Sequence, residues 1–175
     1  MAYDAFSICY HGFDPETSPM KIQHLFPPAI ALLLISCNPV GPYNANANPN
    51  VDITAAIAQA AAQQKLVLLE FGANWCPDCR KLGESLKLPP LSDVIAENFI
   101  VVPVDVGNFD ANLDVVEKYG NPIAMGIPAI VVIGPDNRVL FTSDAGELAN
   151  ARNMSEQAVL EFFQGVVRVA RAQSD

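Results

Sequence analysis

Residues 66–80 read Leu66-Val67-Leu68-Leu69-Glu70-Phe71-Gly72-Ala73-Asn74-Trp75-Cys76-Pro77-Asp78-Cys79-Arg80. The first six form a short run of strand length, apolar except for Glu70. Gly72 to Trp75 read as a loop, and Pro77 suits the first turn of a helix that continues through about Leu86. Strand, loop and helix meet at two cysteines, and that position gives the pair its chemistry. Cys76 meets free backbone N–H groups and the positive end of the helix dipole. Both favour thiolate over thiol, so its pKa is expected below that of a free cysteine. Cys79, one turn in, faces the same side and can close a disulfide with Cys76.

A Cys-X-X-Cys pair has three readings: a redox dithiol, half of a metal site, or two unrelated core cysteines. The chain has four cysteines, Cys9, Cys37, Cys76 and Cys79, and two histidines, His11 and His24. A four-ligand zinc site needs two more ligands than the body beyond residue 50 offers, so a metal within one chain is set aside. A site shared between two chains, each lending its pair, stays open. With no imidazole in the body, Ser-His-Asp and Cys-His catalysis and most haem sites are also set aside. The pair after a buried strand and at a helix start favours the redox dithiol.

The chain of 175 residues is long enough for one domain plus an extension, and 51% hydrophobic residues supply an ordinary core. A formal charge of −9 without a basic cluster argues against nucleic acid as a partner. Outward from the cysteines, Asp52 or Thr54 can cap an alanine-rich helix running to about Gln64. Leu88-Pro89-Pro90 breaks the helix after the cysteines, and Ser92 or Asp93 can cap a short one through Asn98. Phe99 to Asp105 reads as a second buried strand and Asn112 to Tyr119 as a helix. Ala129 to Ile133 and Val139 to Thr142 are strands joined by the turn Gly134-Pro135-Asp136-Asn137. Ser155 caps a last amphipathic helix, with Glu156 in its first turn and Arg168 and Arg171 near its end. Alternation followed by a hairpin means α/β, a mixed central sheet flanked by helices.

The segment Phe71-Gly72-Ala73-Asn74-Trp75-Cys76-Pro77-Asp78-Cys79-Arg80 resembles the active site of the thioredoxin superfamily, and the element order over about 51–175 resembles the thioredoxin-like fold. The resemblance implies a thiol–disulfide oxidoreductase: Cys76 attacks a substrate disulfide, a mixed disulfide forms, and Cys79 resolves it. No bound cofactor is needed. In the family a cis-proline precedes a strand and sits against the dithiol. Pro128, in Gly126-Ile127-Pro128-Ala129, holds that place, and Ile127 would pair its backbone with an extended substrate. Trp75 matches the family tryptophan and is expected to shield the thiols. Glu70 stands six residues before Cys76, where thioredoxins have a buried aspartate. Burial would raise its pKa toward neutrality and suit it to take the proton from Cys79. The plain alternative is a surface glutamate at the strand's end.

Three features depart from the family pattern. Pro77-Asp78 replaces the common Gly-Pro, and the Asp78 charge is expected to oppose the helix dipole and make the pair less oxidising. Val101 is expected where a lysine often pairs with the buried acid. Residues 143–153 are longer than the matching turn, read either as a determinant of partner choice or as a plain surface loop. Tyr119 reads as helix packing, Met125 and Met154 as ordinary residues, and Cys9 has no assigned role.

Residues 25–36 are apolar, too short to span a bilayer and of the length of a secretory signal's centre. Met20 and Lys21 stand just before, and Leu34-Ile35-Ser36-Cys37 resembles the bacterial lipoprotein box. That resemblance implies residues 1–19 as an upstream extension, 20–36 as signal peptide and Cys37 as the lipidated residue. Because Asn38 is not aspartate, the outer membrane is the default, facing the periplasm; the alternative is a cytoplasmic protein with an incidental Cys37. Residues 38–50, rich in Pro, Asn and Gly, read as a flexible linker reaching about 40 Å. The expected partners are disulfide-containing proteins, an envelope electron donor and the membrane. Oxidase chemistry and a redox-silent peptide-binding role are the alternatives to reduction.

Overall fold

The computed structural model describes residues 41–174. Cys9, the signal segment 20–36 and Cys37 lie outside the described residues. In chain order the elements are α1 (Pro49–Gln63), β1 (Leu66–Gly72), α2 (Pro77–Ser85), α3 (Leu91–Asn98), β2 (Phe99–Asp105), α4 (Leu113–Lys118), β3 (Ala129–Ile133), β4 (Val139–Thr142) and α5 (Glu156–Ser174). Short 3-10 turns at Pro122–Met125 and Ala151–Asn153 precede β3 and α5.

The sheet runs β2-β1-β3-β4. Strand β1 is parallel to β2, with Leu66 opposite Phe99, and antiparallel to β3, with Leu69 opposite Val131. Helices cover both faces of β1, which is why it reads as a continuous apolar run rather than an alternation. Val67, Leu69 and Phe71 pack with Ile53, Ala56 and Ala60 of α1 and with Val115 and Val116 of α4. Leu66 and Leu68 face the other way, onto Leu82 of α2, Leu91 and Ile95 of α3, and Phe163 and Val166 of α5. Leu68 and Leu69 are 0% exposed, so truncating either to alanine should cost about 2–5 kcal/mol. The rigid end of β1 therefore fixes where the loop to α2 emerges.

Two boundaries differ from the sequence reading. Helix α1 starts at Pro49, before Asp52, because the Asn48 side chain accepts from the Val51 N–H at 3.3 Å and Pro49 needs no donor partner. The run 38–50, expected to be a free linker, is anchored within its described part at Tyr43 and Pro49, while Asn44 to Asn46 are exposed. Tyr43 is buried at 3% exposure, and its backbone is paired both ways with Asn74: Tyr43 N–H donates to Asn74 Oδ1 at 3.1 Å, and Asn74 Nδ2 donates to the Tyr43 carbonyl at 2.7 Å. One aromatic ring and an amide that mimics a strand partner hold a segment whose composition looks structureless.

Candidate active site

The end of β1 and the start of α2 bring the two cysteines together. Cys76 is the N-cap of α2, and its Sγ accepts from the Cys79 N–H at 3.1 Å. A disulfide joins the pair, with Cα atoms 5.3 Å apart, inside the ordinary range. Cys76 is 3% exposed and Cys79 0%, so only the first sulfur is near the surface. The Ile127–Pro128 bond is cis, and the Ile127 carbonyl oxygen lies 3.6 Å from Cys76 Sγ. The loop before β3 thus sits directly against the outer sulfur.

Trp75 is half exposed beside the pair, its indole N–H donating to the Gly107 carbonyl at 2.8 Å. Phe109 meets it edge to face, ring centroids 6.0 Å apart. These two rings form an exposed apolar pair beside the dithiol, and Met125, in the turn before β3, is exposed as well. Phe109 carries no sequence signal for this place; the loop after β2 brings it there.

Glu70 is buried, which rules out a surface glutamate at the strand's end. Its Oε1 accepts from the Tyr43 hydroxyl at 2.9 Å. Burial pushes its pKa up to about 7, while the Tyr43 hydrogen bond and the Lys87 charge pull the other way. Burial and the negative charges of Glu70 and Asp105 hold the Tyr43 phenol up, so it remains a donor. Strand β2 offers the acid no cation: Val101 pairs with Leu68, and Pro103 stands opposite Glu70. The group that meets the acid comes from the arm at 41–48 instead.

Asp78 is also buried, yet its charge does not stand free beside the sulfurs. Its Oδ1 accepts from the Arg152 N–H at 2.9 Å, and the Arg152 guanidinium lies 3.8 Å from Oδ2. Residues 143–153 are therefore a packed brace rather than a plain surface loop. Leu148 and Ala151 are buried, and the Ser143 hydroxyl accepts from the Ile130 N–H at 2.7 Å. A Cβ on Gly146 would come 3.3 Å from Met125, so the brace also touches the loop before β3. Tyr119 is buried as helix packing, with its hydroxyl donating to Asn137 Oδ1 at 2.8 Å.

A family model described as Thioredoxin-like matches residues 47–135. The crystal structure of a disulphide isomerase from Xylella fastidiosa Temecula1 matches with a TM-score of 0.70 at 46% identity, covering 72% of this chain and 96% of that one. Thioredoxin-1 of Drosophila yakuba is 29% identical over 87 residues, 50% of this chain and 74% of that protein.

Proposed function

Because this chain belongs to the thioredoxin-like family and is a thiol–disulfide oxidoreductase, we propose that it reduces or isomerises protein disulfides in the bacterial cell envelope. The observation that carries this reading is the asymmetry of the dithiol. Cys76 is at the helix N-terminus and near the surface, while Cys79 is fully buried behind it. The Cys76 thiolate attacks a substrate disulfide, one substrate sulfur leaves as thiolate, and a mixed disulfide forms. Cys79 gives its proton to Glu70 and attacks Cys76 Sγ. The second substrate thiolate leaves, two electrons have passed to the substrate, and the Cys76–Cys79 disulfide remains. A dithiol donor must then restore the pair. Ile127 and Pro128 offer an extended substrate backbone a partner beside Cys76, and Trp75 provides apolar contact. Isomerisation is supported by the 46% identity to a protein described as a disulphide isomerase.

The envelope placement rests on Leu34-Ile35-Ser36-Cys37, with Cys37 lipidated. With Tyr43 anchored, six peptide units separate it from Cys37, a reach of at most about 22 Å instead of about 40 Å. Labelling with a radioactive fatty acid should tag the wild type and not Cys37→Ala; equal labelling of both removes the anchor. The direction of electron flow is tested by equilibrating the dithiol with defined glutathione or dithiothreitol buffers. A potential near about −270 mV supports a reductase, about −180 mV an isomerase, and about −120 mV would reverse the direction.

A further inference from the structure

Tyr43 lies upstream of the stretch 47–135 matched by the family model, in a segment that reads as linker. Three observations place its hydroxyl at the centre of the site. It donates to Glu70 Oε1 at 2.9 Å in a buried setting. A Cβ on Gly72 would overlap the same hydroxyl and come 3.0 Å from Cys79 Sγ, so phenol and sulfur press on one side of Gly72. Gly72 leaves that space open by having no side chain. Finally, the arm is held by the two-way pairing of Tyr43 with Asn74, two residues before Cys76.

We propose that Tyr43 is a positioning residue for the resolving step: its hydroxyl holds the Glu70 carboxylate as an anion beside Cys79, so the base is complete only while the 41–48 arm is docked. A hydrogen bond donated to a carboxylate favours its charged form, and losing the donor at a buried site costs more than at an exposed one. The neighbours of Glu70 on the adjoining strands, Pro103 and Ile130, are apolar. The other charges acting on the pair are Lys87, beyond α2, which favours the Glu70 anion, and Asp105, at the end of β2, which keeps the phenol protonated. Without Tyr43, exposed Lys87 is the one support left to the buried anion among the described residues. The inference rests on Glu70 being the proton acceptor for Cys79.

The test is the pH profile of the resolving step, measured by single turnover of the reduced full chain on a disulfide-bonded fluorescent peptide. Wild type should show an inflection near neutral pH. Tyr43→Phe should move it up by about one to two pH units, slowing resolution about five- to fiftyfold at pH 7 and recovering at high pH. Difluorotyrosine at position 43, a stronger donor of nearly the same shape, should move it down. Glu70→Gln should remove the inflection. A Tyr43→Phe profile like wild type, or one lowered equally at every pH, overturns the role of Tyr43. If Tyr43→Phe does not fold, an unmoved inflection with difluorotyrosine overturns it instead. An inflection that survives in Glu70→Gln overturns the acceptor role of Glu70 itself.

Discussion

Glu70 and Asp78 stand on either side of Cys76 in the chain, one in β1 six residues before it and one between the cysteines on α2, and both are almost fully buried. Their surroundings differ in kind. Asp78 takes a backbone N–H and lies beside the Arg152 guanidinium, so its charge ties the 143–153 segment to α2. Glu70 is met by a neutral phenol, and burial pushes it up to about 7. Burial alone therefore does not decide what a carboxylate does near a redox pair. A carboxylate compensated by a cation and a fixed donor serves as a fastener. One that meets a neutral hydroxyl in a buried setting can gain and lose a proton at working pH.

The sharpest way to break this contrast is Glu70→Gln. Loss of a general base should slow the Cys79-dependent step by about 100-fold or more near pH 8, read as accumulation of mixed disulfide. The same variant should be more stable than wild type at that pH. Between about 4.5 and about 7 the folded protein keeps a proton on Glu70 that the unfolded chain has lost. The stabilisation is complete below that window and is lost as pH rises through it, about 3 kcal/mol in all. Urea melts at pH 5 and pH 8 should show wild type losing stability on that account and Glu70→Gln holding it. Parallel pH dependence in the two proteins would contradict the buried, titrating acid.

Gly72→Ala tests the other half of the same region. The added methyl would overlap the Tyr43 hydroxyl and press on Cys79 Sγ at 3.0 Å. Overpacking of this kind should cost about 1–3 kcal/mol and disturb the Tyr43–Glu70 hydrogen bond, visible as a shifted pH profile of resolution. An alanine variant with wild-type stability and profile would mean that the phenol does not occupy this space.

The sequence carried the local part of this site and little of the distant part. Cys76, Cys79 and Glu70 lie within one strand–loop–helix unit, so spacing alone arranges them. The buried strands were legible because β1 and β3 have helices on both faces and read as apolar runs. Tyr43 was hidden because its partners Asn74 and Glu70 are 31 and 27 residues away and its neighbours are Asn, Pro and Gly. Arg152 was hidden because it meets Asp78 across 74 residues. Which residue of β2 stands opposite Glu70 is not legible in the strand pattern, because parallel register is set by how α2 and α3 return the chain; it is Pro103. The start of α1 was missed although Asn48-Pro49 is itself a helix-start signal.

On the Asp78 side, two substitutions separate its two contacts. Asp78→Ala removes the acceptor of a part-buried backbone N–H and should cost about 1–3 kcal/mol, measured by urea denaturation. Arg152→Ala keeps that backbone hydrogen bond, because the donor is the main chain, and removes only the guanidinium. The Arg152 side chain is 54% exposed and its nitrogen lies 3.8 Å from the carboxylate, so water and salt screen the pair. Its loss should cost less than about 1 kcal/mol, and less again at high ionic strength. If the two variants were equally destabilised, the ion pair rather than the backbone bond would fasten the brace. The contrast with Glu70 would then rest on the presence of a cation alone. If Arg152→Ala is nearly silent, as expected, the decisive difference is a fixed backbone donor for one carboxylate and a side-chain phenol, on a separately docked arm, for the other.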